Sequence, residues 1–398
     1  MREISYSLGS FFYLILVAVI VVLPTGYVYG VPIKHLIVLP MAFFFLVSLS
    51  WLKLSEIVLV FSYFVFAIIY FLIGMGSYQG ANFVLDESLL YLGFVTVYLF
   101  GIFIFDRGGF SRNTFLTVVV YSSFFYSIVK LVLVVLVATE VISFEDLLLF
   151  FTNNLNYRFV SSSIAAGVVR ISVIGNDLIV LFSLILVLEG VVGRGLLKLI
   201  LISVLFLCII FAFSRLLFFA LALYYMVFSS ARAKIATTIV FVFVFFVLMS
   251  SYQSEIISAF EYRFTSEDNS VSDGARFHQS DFLIAEISKN PVFGCGFGCF
   301  SRDYIRDQKV PFSYEVHWLS LAMKFGVAGI LGYLYLFYYS LRAVRVKSIS
   351  RDDFLAIYIL SIVVLGGLTN QLLMSTGTSV ALLLVCIFSS HSNSRERV

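Results

Sequence analysis

The sequence predicts an all-α polytopic membrane protein, and three observations carry that expectation. Of 398 residues, 61% are hydrophobic and 12% charged, with a mean hydropathy of +1.04, far from the balance of a soluble globular domain. Apolar runs long enough to cross about 30 Å of hydrocarbon recur from end to end, among them Phe11 to Leu23, Ile57 to Ile73, Phe115 to Ala138 and Ile235 to Met249. Alternating strand-length segments are absent, so helices rather than a barrel must satisfy the backbone.

Polar breaks divide the chain into about twelve spans by the same length criterion. They fall near residues 10–30, 35–50, 55–74, 88–105, 115–138, 172–189, 196–213, 215–230, 235–252, 316–341, 354–373 and 376–390. Basic residues occupy alternate short connections: Lys53, then Arg107 and Arg112, then Arg194 and Lys198, then Arg232 and Lys234, then Arg342, Arg345, Lys347 and Arg351. The positive-inside rule makes these cytoplasmic, and Arg2, Arg395 and Arg397 put both termini on that side, as an even number of crossings requires. Only Arg2 precedes the first span and no small-residue cleavage pattern follows, so that helix reads as retained. The expected organisation is residues 1–251 with nine helices and a smaller outer loop near 139–170, a large outer loop over 252–315 carrying short interfacial helices, and residues 316–398 with three helices and a cytoplasmic tail.

The large loop holds six basic and ten acidic side chains. That balance excludes a cationic carpet for nucleic acid or acidic lipid, so an anion site there must use individually placed arginines. Over Gly274 to Lys289 the apolar Phe277, Leu283, Ile284 and Ile287 recur at helical spacing between polar Arg276, His278, Gln279, Asp281 and Glu286. A surface helix of this kind holds Arg276 at interface depth, where it either grips a phosphate with its fork or snorkels to water. Lys289-Asn290-Pro291 ends the helix, because the residue before proline avoids the helical region. Gly294, Gly296 and Gly298 then either present amide donors to an anion or make a tight turn. No strand precedes them, which excludes a dinucleotide fingerprint.

His317 opens the next span beside Trp318, an interfacial anchor. It follows Glu315, whose carboxylate can orient the imidazole or raise its basicity, and this makes His317 a candidate general base. Arg170, in VVRISVIGNDL, and Arg215, in FAFSRLLFF, lie on the same side of the membrane. A charge in so short an apolar connection is a functional candidate, or else binds helix-end carbonyls. Lys130, Lys324 and Asp177 lie near or within spans; the two lysines snorkel or pair, and no chemistry is assigned to them. Cys208 and Cys386 fill spans, whereas Cys295 and Cys299 lie where an oxidising compartment can pair them, or are small neighbours of the glycines. No His or Cys cluster suits zinc, and no cofactor is expected.

Taken in order, FSR at a short junction, an arginine opening a helix that ends NPVFGCGFG, and H-W-L-x-x-L-x-x-x-x-G-x-x-G resemble the O-antigen polymerase and ligase superfamily. VVRISVIGNDL is similar to that family's earlier arginine motif leading to an Asn, here Asn176. Trp318 stands where the family usually has Asn, and no proline precedes Asn176. The resemblance implies a metal-independent, membrane-embedded glycosyltransferase of GT-C-like architecture in a bacterial inner membrane. Donor and acceptor would be glycans on undecaprenyl diphosphate at the periplasmic face, with a chain-length regulator and a flippase as partner proteins. It implies that Arg170, Arg215 and Arg276 hold the diphosphate and offset its growing charge. His317 would position or deprotonate the acceptor hydroxyl, with Glu315, Asn176, Gly294 and Gly296 in support. A repeat-unit polymerase is the first expectation and a ligase to lipid A core the second. A lipid-linked oligosaccharide flippase is the rival from another class; it predicts symmetric halves around a midplane site, and no internal repeat is evident. A structural partner in an export complex has no need of the arginines and the histidine.

Overall fold

The computed structural model describes residues 2–23, 27–28, 31–32, 53–77, 80–107, 110–154, 160–165, 168–229, 231, 234–235, 238–239, 242, 267–305, 308, 310–341 and 351–395. The expected span near 35–50, most of that near 235–252 and residues 252–266 of the large loop lie outside them, as do Arg232, Arg342, Arg345, Lys347 and Arg397.

The described chain is almost entirely helical. Its helices are α1 (Arg2–Val22), α2 (Leu54–Gly76), α3 (Ala81–Asp106), α4 (Arg112–Ala138), α5 (Phe144–Asn154), α6 (Ile174–Leu188), α7 (Gly195–Ile210) and α8 (Arg215–Leu223), which runs on into a π turn at Tyr224–Phe228. They continue as α9 (Glu267–Lys289), α10 (His317–Leu341), α11 (Arg351–Gly366) and α12 (Thr376–Arg395). Four stretches, α2, α3, α4 and His317–Leu336, are long and apolar enough to cross a membrane. Shorter apolar stretches lie at Leu8–Val22, Ile174–Leu188, Gly195–Ile210, Arg215–Val227 and Thr376–Phe388. The class is therefore an all-α membrane-embedded protein.

Two antiparallel hairpins interrupt the helices, contrary to the strand-free expectation. The first pairs β1 (Tyr27–Val28) with β2 (Val31–Pro32), and the second pairs β3 (Val160–Ala165) with β4 (Val168–Ser172). The β-branched residues of VVRIS favour extended backbone, and the run is too short to register as an alternating strand. Arg170 sits on β4 opposite Ser162.

The chain forms two compact units, residues 1–42 with 104–270 and residues 43–103 with 271–398. In the first, α4 packs against α1, α6 and α7. Every residue of α6 from Asn176 to Leu188 is buried, as a helix apolar all round must be. Its start is pinned by Asp177, whose one oxygen accepts from Lys130 Nζ at 2.8 Å and Tyr126 Oη at 3.2 Å, the other from Ser172 Oγ at 3.0 Å and the Val173 amide at 3.1 Å. Lys130 therefore pairs rather than snorkels.

In the second unit α11 packs against α12, whose residues Thr376 to Phe388 are all buried. Ser379 Oγ ties α12 to α3 by donating to the Phe94 carbonyl at 2.9 Å. α10 is broken at Gly326, where φ is 58° and ψ is −172°. The segment after α9 fills this break. The Cys295 and Gly296 amides donate to the Met323 and Lys324 carbonyls at 3.1 and 2.8 Å, while the Val327 and Ala328 amides donate to the Pro291 and Val292 carbonyls at 2.9 and 3.0 Å. A span can lose helical bonds only where other groups replace them, and here the loop backbone does so.

Candidate functional site

Over two turns of one face, α9 presents Arg276, Gln279 and Leu283 to the segment leading into α10. Arg276 Nε donates to Glu315 Oε2 at 2.7 Å. Buried Gln279 accepts from the Val316 amide at 3.0 Å through Oε1. Leu283 packs with Cys299, Tyr314 and Met323. The structure thus carries Arg276 to Glu315, two residues before His317 in the chain, across 39 residues of sequence. The Arg276 and Glu315 side chains are 22% and 24% exposed, a surface pair worth about 1 kcal/mol at most, so its importance is positional.

His317 is 2% exposed. Its amide and that of Trp318 donate to the Gly367 carbonyl at 3.0 and 3.3 Å, and Trp318 Nε1 donates to the Val364 carbonyl at 3.0 Å. The end of α11 therefore fixes the start of α10. Imidazole Nδ1 accepts the Leu373 amide at 3.0 Å, and Nε2 has no hydrogen-bond partner among the described residues. With Nδ1 accepting, a neutral ring carries its proton on Nε2. In that tautomer Nε2 is a donor with no hydrogen-bond partner of its own among the described residues. Glu315 does not orient the imidazole, because the carboxylate serves Arg276 instead. One turn along, buried Ser320 Oγ also has no hydrogen-bond partner among the described residues.

The glycine turn offers no amide nest. Gly294 N–H donates to the Asn290 carbonyl at 2.9 Å, Gly296 N–H to Lys324, and Gly298 N–H to Glu87 Oε2 at 2.7 Å. The three residues have φ of 66°, 83° and 73°. A Cβ on Gly294 would strike the Lys324 carbonyl, and one on Gly296 would strike Gly74. These glycines allow backbone to touch backbone. Gly294 and Gly296 are therefore packing residues, and an anion must be held by side chains. Cys295 and Cys299 form a disulfide across the turn.

Lys324 is completely buried and pairs with Glu87 of α3, itself 2% exposed, while Nζ also donates to the Phe312 carbonyl at 2.8 Å. The two ends of the 298–312 loop are thereby held by one ion pair. Sequence reading passed over Glu87; its signal was an acid inside one apolar run matched by a base inside another.

In the first unit Arg170 Nε donates to the Ala212 carbonyl at 3.0 Å, just past the end of α7. Arg215 opens α8 three residues later. The structure brings these two arginines to one helix junction, and there Arg170 binds the helix-end carbonyl. Asn176 is buried and its amide donates to the Val21 carbonyl, a tie between α6 and α1. Among the described residues no three His, Cys, Asp or Glu side chains group as a metal site. No family model matches this sequence, and no curated protein matches it.

Proposed function

We propose that the chain is a membrane-embedded glycosyltransferase of the O-antigen polymerase kind. It joins repeat units carried on undecaprenyl diphosphate at the outer face of a bacterial inner membrane and releases undecaprenyl diphosphate. The observation that carries this reading is the meeting of Arg276 with the 315–317 segment at the start of α10. A guanidinium and a neutral imidazole donor then stand at one membrane boundary, where a diphosphate headgroup and a sugar hydroxyl must be held together.

A buried donor without an acceptor destabilises by about 1–3 kcal/mol, so His317 Nε2 calls for an oxygen ligand. In this reading Arg276 neutralises charge that grows on the diphosphate as the anomeric C–O bond breaks. His317 donates to the acceptor hydroxyl oxygen and aligns it for attack. The hydroxyl proton passes to the departing diphosphate, since the ring already bears a proton on Nε2. For the first unit, the reading assigns a phosphate as the ligand of Arg215 and Arg170.

The test is reconstitution. Purified protein in lipid vesicles is given the lipid-linked repeat unit alone, and chain growth with release of the lipid diphosphate is the expected result. Transfer only when lipid A core is added would establish a ligase. Translocation without bond formation would refute the transferase reading.

A further inference from the structure

We infer that α9 and the 299–305 loop form a glycan-stacking subsite beside Arg276, built on His278, Phe282 and Tyr304; this rests on the transferase reading above. The rings make a row. His278 and Phe282 lie 5.6 Å apart, and Phe282 and Tyr304 lie 5.6 Å apart with their planes within 24°. His278 is exposed and the other two rings are half-buried, with Tyr304 also packed on the Leu283, Cys299, Tyr314 and Met323 cluster, so part of the row remains open to water.

It begins next to the charged end of the site. Tyr304 Oη reaches the Ala275 carbonyl at 3.5 Å, adjacent to Arg276. The loop that carries Tyr304 is fixed at several points. The Gly298 amide is held by Glu87, the Ser301 amide donates to Tyr314 Oη at 2.8 Å, and the Cys295–Cys299 disulfide closes the turn before it. Rings held in place in advance lose little freedom when a ligand arrives.

The chemistry of such a row suits a pyranose. One face of a sugar ring is lined by C–H groups that pack on aromatic carbon, while its hydroxyls need polar partners at the rim. Asp281, Arg302 and Asp303 are exposed around the row and supply them. The occupant is the oligosaccharide of a lipid-linked substrate, with its phosphate end toward Arg276 and its sugars running over His278, Phe282 and Tyr304.

The experiment uses the full chain in lipid nanodiscs and two probes: lipid-free oligosaccharide released from the native cell-surface polysaccharide, and farnesyl diphosphate. Tyr304→Ala and His278→Ala should each weaken oligosaccharide binding roughly two- to tenfold. Tyr304→Trp should retain it, and farnesyl diphosphate binding should not move in any variant. The inference is overturned if wild type fails to bind the oligosaccharide, or if folded Ala variants bind it as wild type does. It is equally overturned if they lose both probes together, which would mark the rings as loop packing. Oligosaccharide binding that depends on Tyr304 in a protein that makes no polymer would keep the subsite and remove the polymerase reading. Polymer made by Tyr304→Ala at unchanged KM would do the reverse.

Discussion

Replacing Lys324 by Met tests whether the buried ion pair holds the 298–312 loop. Lys324 is 0% and Glu87 2% exposed. Removing the ammonium alone leaves a carboxylate among apolar side chains that still accepts from the Gly298 amide. Breaking a buried pair in this way costs about 3–5 kcal/mol, and loss of the bond to the Phe312 carbonyl adds about 1 kcal/mol. In the double variant Glu87→Gln, Lys324→Met, the amide side chain still accepts from Gly298 and no charge is stranded. It should recover most of the loss, leaving about 1 kcal/mol, so the two substitutions are strongly non-additive. Trp318, packed on the Val364 carbonyl in the same unit, reports the transition by fluorescence during denaturant unfolding in detergent. A double variant as unstable as Lys324→Met, or a single variant that loses less than about 1 kcal/mol, would refute the reasoning.

Gly296→Ala should destabilise by at least about 2 kcal/mol in the same assay, since it adds left-handed strain to a collision with Gly74. Arg276→Ala should abolish polymer formation while moving stability by less than about 1 kcal/mol, because the Arg276–Glu315 pair is partly in water; equal loss of folding would assign it a structural role. His317→Gln should keep measurable polymerisation and His317→Phe should not, because an amide can still donate where a base would be lost; complete inactivity of both at native stability would restore the base. Burial pushes the Tyr314 hydroxyl up from 10.0 to about 12. Its stabilising effect is therefore complete below pH 10 and lost as pH rises through about 12. Tyr314→Phe should flatten that alkaline limb of stability, and an unchanged limb would assign it to other groups.

Helices that are long apolar runs between polar breaks were legible: α2 begins at Leu54 and α7 at Gly195, both within a residue of where the pattern puts a span, whereas α3 begins at Ala81, ahead of the expected 88, and α1 ends at Val22, short of the expected 30. The hairpin at Arg170 was not legible, because five residues of VVRIS are as compatible with a helix approach as with a strand. Residue types at the site were visible as well, but their partners were not. The tautomer of His317 is decided by the Leu373 amide, 56 residues away. The fate of the Gly296 and Gly298 amides is decided by Lys324 and Glu87, which local spacing cannot place. Sequence order encodes which groups exist, while long-range packing decides which of their hydrogen-bonding atoms stay available.

Availability also bears on whether the site makes bonds or moves substrate. A discontinuous helix favours transport when its half-helix ends lie open at the midplane and can meet a charged ligand. α10 has the discontinuity, at Gly326, but both ends that face it are closed by residues 291–296. The nearest charge, Lys324, is held by Glu87 and the Phe312 carbonyl. The break therefore seats the glycine turn and leaves no helix-end dipole for a substrate. The buried polar atoms of α10 that lack partners among the described residues are His317 Nε2 and Ser320 Oγ, both in its first turn. In the transferase reading, donors gathered in the first turn of α10, just after Glu315 in the chain, suit a substrate whose headgroup is held while its sugars react. If transport were the function, substitutions at the break should alter it and His317→Gln should be silent. The transferase reading requires the opposite of His317→Gln, a reduced rate of bond formation with substrate affinity retained.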